Sequence, residues 1–134
     1  FHPDCIINVL VAAPGRSGKL AWACSLTTRE SVRLLCARRY LGQVSREHAE
    51  WSGLLFGLRQ AERLLQDKVM VACDFSPGFG EARRLRDPAI QSKKDQAEKA
   101  WDSFRLRRIG KIAKGEEDFL RAELAKVFSR KAKD

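Results

Sequence analysis

Over the first forty positions the apolar residues come in three short, dense runs: Ile6–Ala13 (IINVLVAA), Lys19–Thr27 (KLAWACSLT) and Ser31–Tyr40 (SVRLLCARRY). Pro14-Gly15 with Gly18, and then a polar turn, divide them. Runs of this length between turn residues predict strands, and their close spacing predicts a three-stranded antiparallel meander that ends at Gly42. The period then changes. After Ser45, with Glu47 and Glu50 behind it, the positions Trp51, Leu54, Leu55, Leu58, Ala61 or Glu62, and Leu65 recur in steps of three and four. That is one apolar helical stripe, closed at Asp67.

Lys68–Cys73 (KVMVAC) predicts an apolar strand ending on Asp74, and Ser76-Pro77-Gly78-Phe79-Gly80 a loop, with a second break at Asp87-Pro88. Residues 89–102 predict a polar helix around Ala97 and Trp101. Arg105–Ile112 (RLRRIGKI) predicts a basic strand, interrupted by Gly110. Glu116-Glu117-Asp118 supplies the acidic start of a last helix with Leu120, Leu124, Val127 and Phe128 on its apolar face. Arg130, Lys131 and Lys133 form its basic end, which suits the helix dipole. The order is therefore strand, strand, strand, helix, strand, helix, strand, helix, with no internal repeat.

At 134 residues this is the length of one domain, 1–134, with a basic tail at about 129–134. With 44% hydrophobic and 32% charged residues, a packed core forms without a disulfide or metal staple. No apolar run approaches the roughly 20 residues of a membrane span, so no membrane insertion is expected. Lys plus Arg is 26 against 17 acidic residues, a net charge of +9. That balance favours polyanionic partners, nucleic acid first, with an anionic membrane surface or a plain solubility surface as the other readings. Cys5, Cys24, Cys36 and Cys73 contain no C-x-x-C, which excludes a zinc ribbon or redox motif. All four are expected to be buried free thiols in a reducing compartment. The first residue is Phe1 and no secretory leader precedes the first strand, so a processed or truncated segment is expected. The basic composition suggests an organellar matrix, mitochondrial, with cytoplasm or nucleus as alternatives.

Ala13-Pro14-Gly15-Arg16-Ser17-Gly18-Lys19-Leu20 follows a strand but is not a phosphate-cradling loop. Ala13 stands where that motif has its first Gly, and Leu20 where it has the hydroxyl that reaches Mg²⁺.

Three segments carry a family resemblance. His48–Ala61 (HAEWSGLLFGLRQA) resembles the first helix of the ribonuclease H-like family, A-E-x-x-A-L-x-x-G-L-x-x-A. Val69–Ser76 (VMVACDFS) is similar to its fourth strand, and Asp118–Val127 (DFLRAELAKV) to its last-helix segment N-x-x-A-D-x-L-A-x-x-A. The resemblance implies an α/β fold: a mixed five-stranded sheet, an antiparallel meander followed by parallel strands, with helices on both faces. It also implies a four-carboxylate site for two divalent ions, with Glu50 and Asp74 as two of the ligands. At the other two positions this sequence has Ala12 and Ala122. Glu123 is turned about 100° from Ala122 around a helix. Asp4 is roughly 26 Å from Ala12 along an extended strand. Glu116, Glu117 and Asp118 are the nearest alternative carboxylates. His2 and His48 have no partner at ligand spacing and are expected at the surface.

With two ligands lost, no catalytic residue, metal or other cofactor is expected. The expected role is a catalytically inactive, RNA-binding or scaffolding component of a ribonucleoprotein complex, such as an organellar ribosome or RNA-processing complex, with RNA and other proteins of that complex as partners. The nucleic-acid-binding candidates are Arg38 and Arg39 (with Arg33), Arg83 and Arg84 (with Arg86) in Phe75–Arg86, where the resemblance places the family's substrate-gripping loop, and Arg105, Arg107, Arg108, Lys111 and Lys114 around the last strand. Two alternatives stand beside this reading. One is an active Mg-dependent nuclease of RNA–DNA hybrids with a rearranged carboxylate set. The other is a protein–protein module anchored by Trp22, Trp51 or Phe79.

Overall fold

The computed structural model describes residues 2–13 and 18–133. Its elements are β1 (Cys5–Ala12), β2 (Lys19–Thr27), β3 (Arg33–Gln43), α1 (Arg46–Arg63), β4 (Lys68–Cys73), α2 (Pro88–Ser103), β5 (Leu106–Gly110) and α3 (Lys114–Lys133). They form one five-stranded sheet in the order β3-β2-β1-β4-β5. β1 pairs antiparallel with β2 and parallel with β4, β2 pairs antiparallel with β3, and β4 pairs parallel with β5. This is the mixed sheet that the family resemblance implies, with the antiparallel meander that the pattern predicts at β1–β3. Residues 14–17, which carry most of the Ala13–Leu20 segment's resemblance to a phosphate loop, lie outside the described residues. Among the described residues no helix is long and apolar enough to cross a membrane.

Alternation sorts the strand residues onto two faces. Ile7, Val9 and Val11 of β1 and Val69, Val71 and Cys73 of β4 meet α1 and α2 in the larger core, which also buries Trp22 and Trp51. Leu10, Ala21 and Ala23 face the other way and pack on Leu120, Leu124 and Val127 of α3. α1 is capped by Ser45, whose side chain accepts from the His48 N–H at 3.1 Å. α2 is capped by Asp87, which accepts from the Ala89 N–H at 2.8 Å, with Pro88 in the first turn. The break expected at Asp87-Pro88 is therefore the start of that helix.

Four expectations are corrected. Gly42 does not end the meander: it sits inside β3 at φ 78°, opposite a register irregularity at Leu20/Ala21. α1 ends at Arg63, not Asp67, because Leu65 takes a left-handed φ of 56°. The N–H groups of Leu65 and Gln66 bond back to the Glu62 and Ala61 carbonyls at 3.0 Å each, a Schellman closure. Leu65 accordingly leaves the apolar stripe and is 89% exposed. Cys36 is exposed while the other three thiols are buried, because β3 is the sheet edge. Trp22 and Trp51 are core residues, and Phe79 stacks on Trp101 at 4.5 Å, so none of the three is a free anchor for a partner protein.

Candidate active-site cleft

Two glycines bring α1 onto the sheet. A Cβ on Gly57 would stand 2.4 Å from Ile7 Cγ2 and 3.0 Å from Cys24 Sγ, and one on Gly53 would stand 2.8 Å from Val9 Cγ1. Glu50 lies three residues before Gly53 and seven before Gly57, so it shares their sheet-facing side one turn nearer the helix start. The same close approach that excludes larger side chains thus carries this carboxylate to the sheet. Arg46 Nε donates to Glu50 Oε2 at 3.2 Å, one turn away on the helix.

Asp74 follows the last residue of β4. The parallel register pairs Val9 with Cys73, so Asp74 lies alongside the end of β1 and is hydrogen-bonded to backbone at Val11, next to Ala12. The Ala12 methyl packs against the α3-side core. Burial holds the Asp74 carboxyl above its ordinary range, opposed by the backbone at Val11 and by the charges of Arg46 and Arg121. Burial likewise pushes Glu50 up; Arg46 opposes this and the Asp74 charge adds to it. The two carboxylates are therefore close enough to repel.

Asp74 opens onto a cleft of about 730 Å³ whose lining includes Phe75, Ser76, Gly110, Lys111 and Glu117. Glu117 comes from the first turn of α3 and is held by Arg121 at 2.8 Å. Ala122 is exposed on the same helix, and Glu123 is turned away to pair with Arg38 of β3. Of the other acidic residues near the start of the last helix, Glu116 accepts from Ser25 Oγ at 2.6 Å and from Arg33, and Asp118 pairs with Lys114 at 3.7 Å. α3 begins at Lys114, so Glu116, Glu117 and Asp118 lie within its first turns, the acidic start that the sequence predicts. Among the described residues no three His, Cys, Asp or Glu side chains stand together as a ready ion cage. The donor chemistry does not fit a pair of ions. It fits a single Mg²⁺, which characteristically takes one or two carboxylates and completes its shell with water and a substrate phosphate.

The loop 75–86 is anchored to α2. Lys94, only 4% exposed, donates to the carbonyls of Glu81 and Arg83 at 3.0 and 2.7 Å. Gln91 accepts from the Leu85 N–H at 2.7 Å and Glu98 from the Gly80 N–H at 3.0 Å. Phe79 is wedged between Trp101 and Trp51. Sequence reasoning missed Lys94 because its partners are backbone carbonyls 11 and 13 residues away. The pairs Arg46–Glu50 and Glu117–Arg121 were open to it through their four-residue spacing.

The basic candidates do not form one track. Arg38 pairs with Glu123, Arg83 with Glu47, and Arg105 with Asp67 at 2.7 Å. Arg107 pairs with Asp102 at 3.4 Å and lies over the Trp101 ring. Lys114 holds Asp118. Arg39, Arg84 and Arg108 are exposed, and Lys111 lines the cleft beside Asp74. His2 is exposed and His48 half-buried.

No family model matches the sequence, and no curated protein matches it. Solved structures do. The N-terminal RNase H domain of rv2228c from Mycobacterium tuberculosis superposes with a TM-score of 0.72 at 17% identity, over 88% of this chain and 93% of that one. RNase H1 of the halophilic archaeon Halobacterium salinarum NRC-1 gives 0.66 at 17%, over 87% and 92%. LC11-RNase H1, solved in complex with an RNA/DNA hybrid, gives 0.66 at 16%, also over 87% and 92%. At this identity the likeness establishes the fold: the chain has the ribonuclease H-like fold. It also corrects the expectation that the chain is not an enzyme. The structures that superpose along nearly their whole length are ribonucleases H. Ala12 and Ala122 had carried that expectation, but Glu50 and Asp74 remain together and α3 brings Glu117 to the same cleft.

Proposed function

We propose that this domain is a metal-dependent nuclease of RNA–DNA hybrids, working at the cleft between Glu50 and Asp74. The observation that carries the reading is that Glu50 shares a pocket with Phe75, Ser76 and Pro77, the residues directly after Asp74, so that two desolvated carboxylates act on each other in a fold shared with ribonucleases H. Glu50 and Asp74 are the residues that would hold a Mg²⁺. When bound, such an ion supplies an activated water and neutralises charge at the reacting phosphate.

The chain supplies the rest. Lys111 presents a cation to the strand at the cleft mouth. The anchored loop 75–86 holds Arg84 and Arg86 exposed on a fixed backbone, which favours contacts to the phosphodiester chain. Because burial raises Glu50 and Asp74, both must ionise against that penalty before an ion is held. Activity should therefore fall on acidification at a higher pH than unperturbed carboxylates would give.

The test is cleavage of a labelled RNA–DNA hybrid in Mg²⁺ and in Mn²⁺. Wild type is expected to cut the RNA strand, and Glu50→Gln and Asp74→Asn each to abolish cutting. Intact hybrid with wild type in both ions, or cutting that survives both substitutions, overturns the reading.

A further inference from the structure

We propose that the cleft grips a backbone phosphate with three cations of its own, Arg46, Arg121 and Lys111, and takes no more than one divalent ion, at Glu50 and Asp74. This deepens the nuclease reading and rests on it for the identity of the ligand. The geometry pairs each acidic group with a cation from the chain. Arg46 sits on Glu50 at 3.2 Å, Arg121 on Glu117 at 2.8 Å, and Lys111 lines the cleft with Asp74 and Glu117. Both guanidinium groups also act on Asp74.

Asp74, Glu117 and Lys111 line the cleft, and Glu50, Arg46 and Arg121 stand around it, so three carboxylates face three cations and the local sum is neutral before anything binds. A cleft with four carboxylates and no cations would start at −4 and need two divalent ions to approach neutrality. Here one divalent ion and one phosphodiester already total +1, and a second ion would take the sum to +3 with a single lining carboxylate, Glu117, to receive it. Ala12 and Ala122, which remove two acidic groups, and Arg46 and Arg121, which add two cations, thus change the charge in the same direction.

The cations are also free to move to a ligand. Arg46 and Arg121 have side chains 52% exposed, and their pairs are one-turn surface pairs, the weakest class of ion pair. A phosphate offers a guanidinium two oxygens in the planar geometry it prefers. Arg121 can therefore leave Glu117 for the strand at little cost.

The test uses the full chain in two measurements. Calorimetric titration with Mn²⁺ is expected to give one ion per chain at most, and two ions per chain overturns the proposal. Binding of a fluorescent RNA–DNA hybrid in EDTA, followed against salt, is expected to persist for wild type. Arg121→Gln and Arg46→Gln should each weaken that binding by about tenfold, equivalent to about 1.4 kcal/mol, and lower the salt slope by about one phosphate. Arg121→Gln should also tighten Mn²⁺ binding, because it removes positive charge from beside Asp74; a merely structural arginine would not do this. Thermal unfolding confirms that the variants are folded. Affinity and slope unchanged in both variants overturns the proposal. Cleavage with two bound ions sinks this proposal alone. One-ion binding and arginine-dependent affinity without cleavage sinks the nuclease reading and leaves the phosphate site standing.

Discussion

The two faces of the sheet are built by different means. On the α1/α2 face, Ile7, Val9, Val69 and Val71 meet Leu54 and Leu58 through a glycine-lined contact, beside which Trp22 Nε1 donates to Ser52 Oγ at 3.0 Å. On the α3 face small residues, Ala21 and Ala23, face Leu120 and Leu124. Beside them runs a polar chain: Asn8 Nδ2 donates to Ser25 Oγ at 3.2 Å and to Thr27 Oγ1 at 3.1 Å, and Ser25 Oγ donates to Glu116. Arg33 closes it, bonded to Glu116 at 2.6 Å and lying 3.5 Å over the Phe119 ring. The tight face fixes where Glu50 stands. The other face locks α3 by charge and leaves a cleft beside β4 and β5, where Asp74, Lys111 and Glu117 line the open space. In this molecule rigidity and access are divided between the sheet's two sides.

The largest effect should come from breaking the tight face. Gly57→Ala places a methyl 2.4 Å from Ile7 Cγ2, and overpacking of this kind costs about 1–3 kcal/mol, of which the better helix propensity of alanine offsets at most about 1 kcal/mol. Urea unfolding should show the loss, and hybrid cleavage should fall with it because Glu50 rides on the same helix. Wild-type stability in Gly57→Ala would show that the contact is not tight.

On the α3 face, Glu116→Gln removes the charged acceptor of Ser25 and Arg33 and should cost about 1 kcal/mol. The Arg33 share is small, since its side chain is 37% exposed. Glu116 and the pair Glu50 and Asp74 also respond to acid with opposite signs. Burial tends to raise Glu116, but the hydrogen bonds from Arg33 and Ser25 outweigh it and hold its carboxyl below the ordinary value. Its contribution is thus present above the unfolded pKa and lost as pH falls through the folded one. Glu50 and Asp74 lie above theirs, chiefly through burial. Their contribution is complete below the unfolded pKa and lost as pH rises through the folded values. At pH 7, without metal, Glu50→Gln with Asp74→Asn should therefore raise the melting temperature while Glu116→Gln lowers it. A lower melting temperature for the double variant would show that the two carboxylates are stabilised where they stand.

This division explains which parts could be read from sequence. The element order and the α1 stripe were legible because apolar periodicity directly encodes burial on one face, and the Ala-Glu and Gly spacing of His48–Ala61 brought Glu50 with it. The cleft was not. Glu117 joins Asp74 only through the placement of α3 across β1–β3, and a tertiary distance leaves no periodic trace. Reading the last helix by motif pointed to Ala122, which is exposed, five residues beyond the Glu117 that faces the cleft. Lys94 reads as one more surface lysine in a polar helix until the loop carbonyls it holds are seen.

Leu65 sharpens the comparison at its finest scale, because it sits at the end of the same helix that Gly57 presses to the sheet. There the missing glycine matters instead of the present one. Leucine at φ 56° bears a left-handed backbone cost of about 1 kcal/mol. At 89% exposure its side chain returns little burial. Leu65→Gly relieves the strain and keeps both closing hydrogen bonds, which are made by backbone alone. Part of the gain is offset by the greater freedom of glycine in the unfolded chain. The net should be about +0.5 kcal/mol, a rise of roughly 2 °C in melting temperature, and Leu65→Ala should give none of it. If alanine stabilised as much as glycine, the exposed leucyl side chain would be the cause rather than the backbone, and α1 would have no strained end to set against its tightly packed middle.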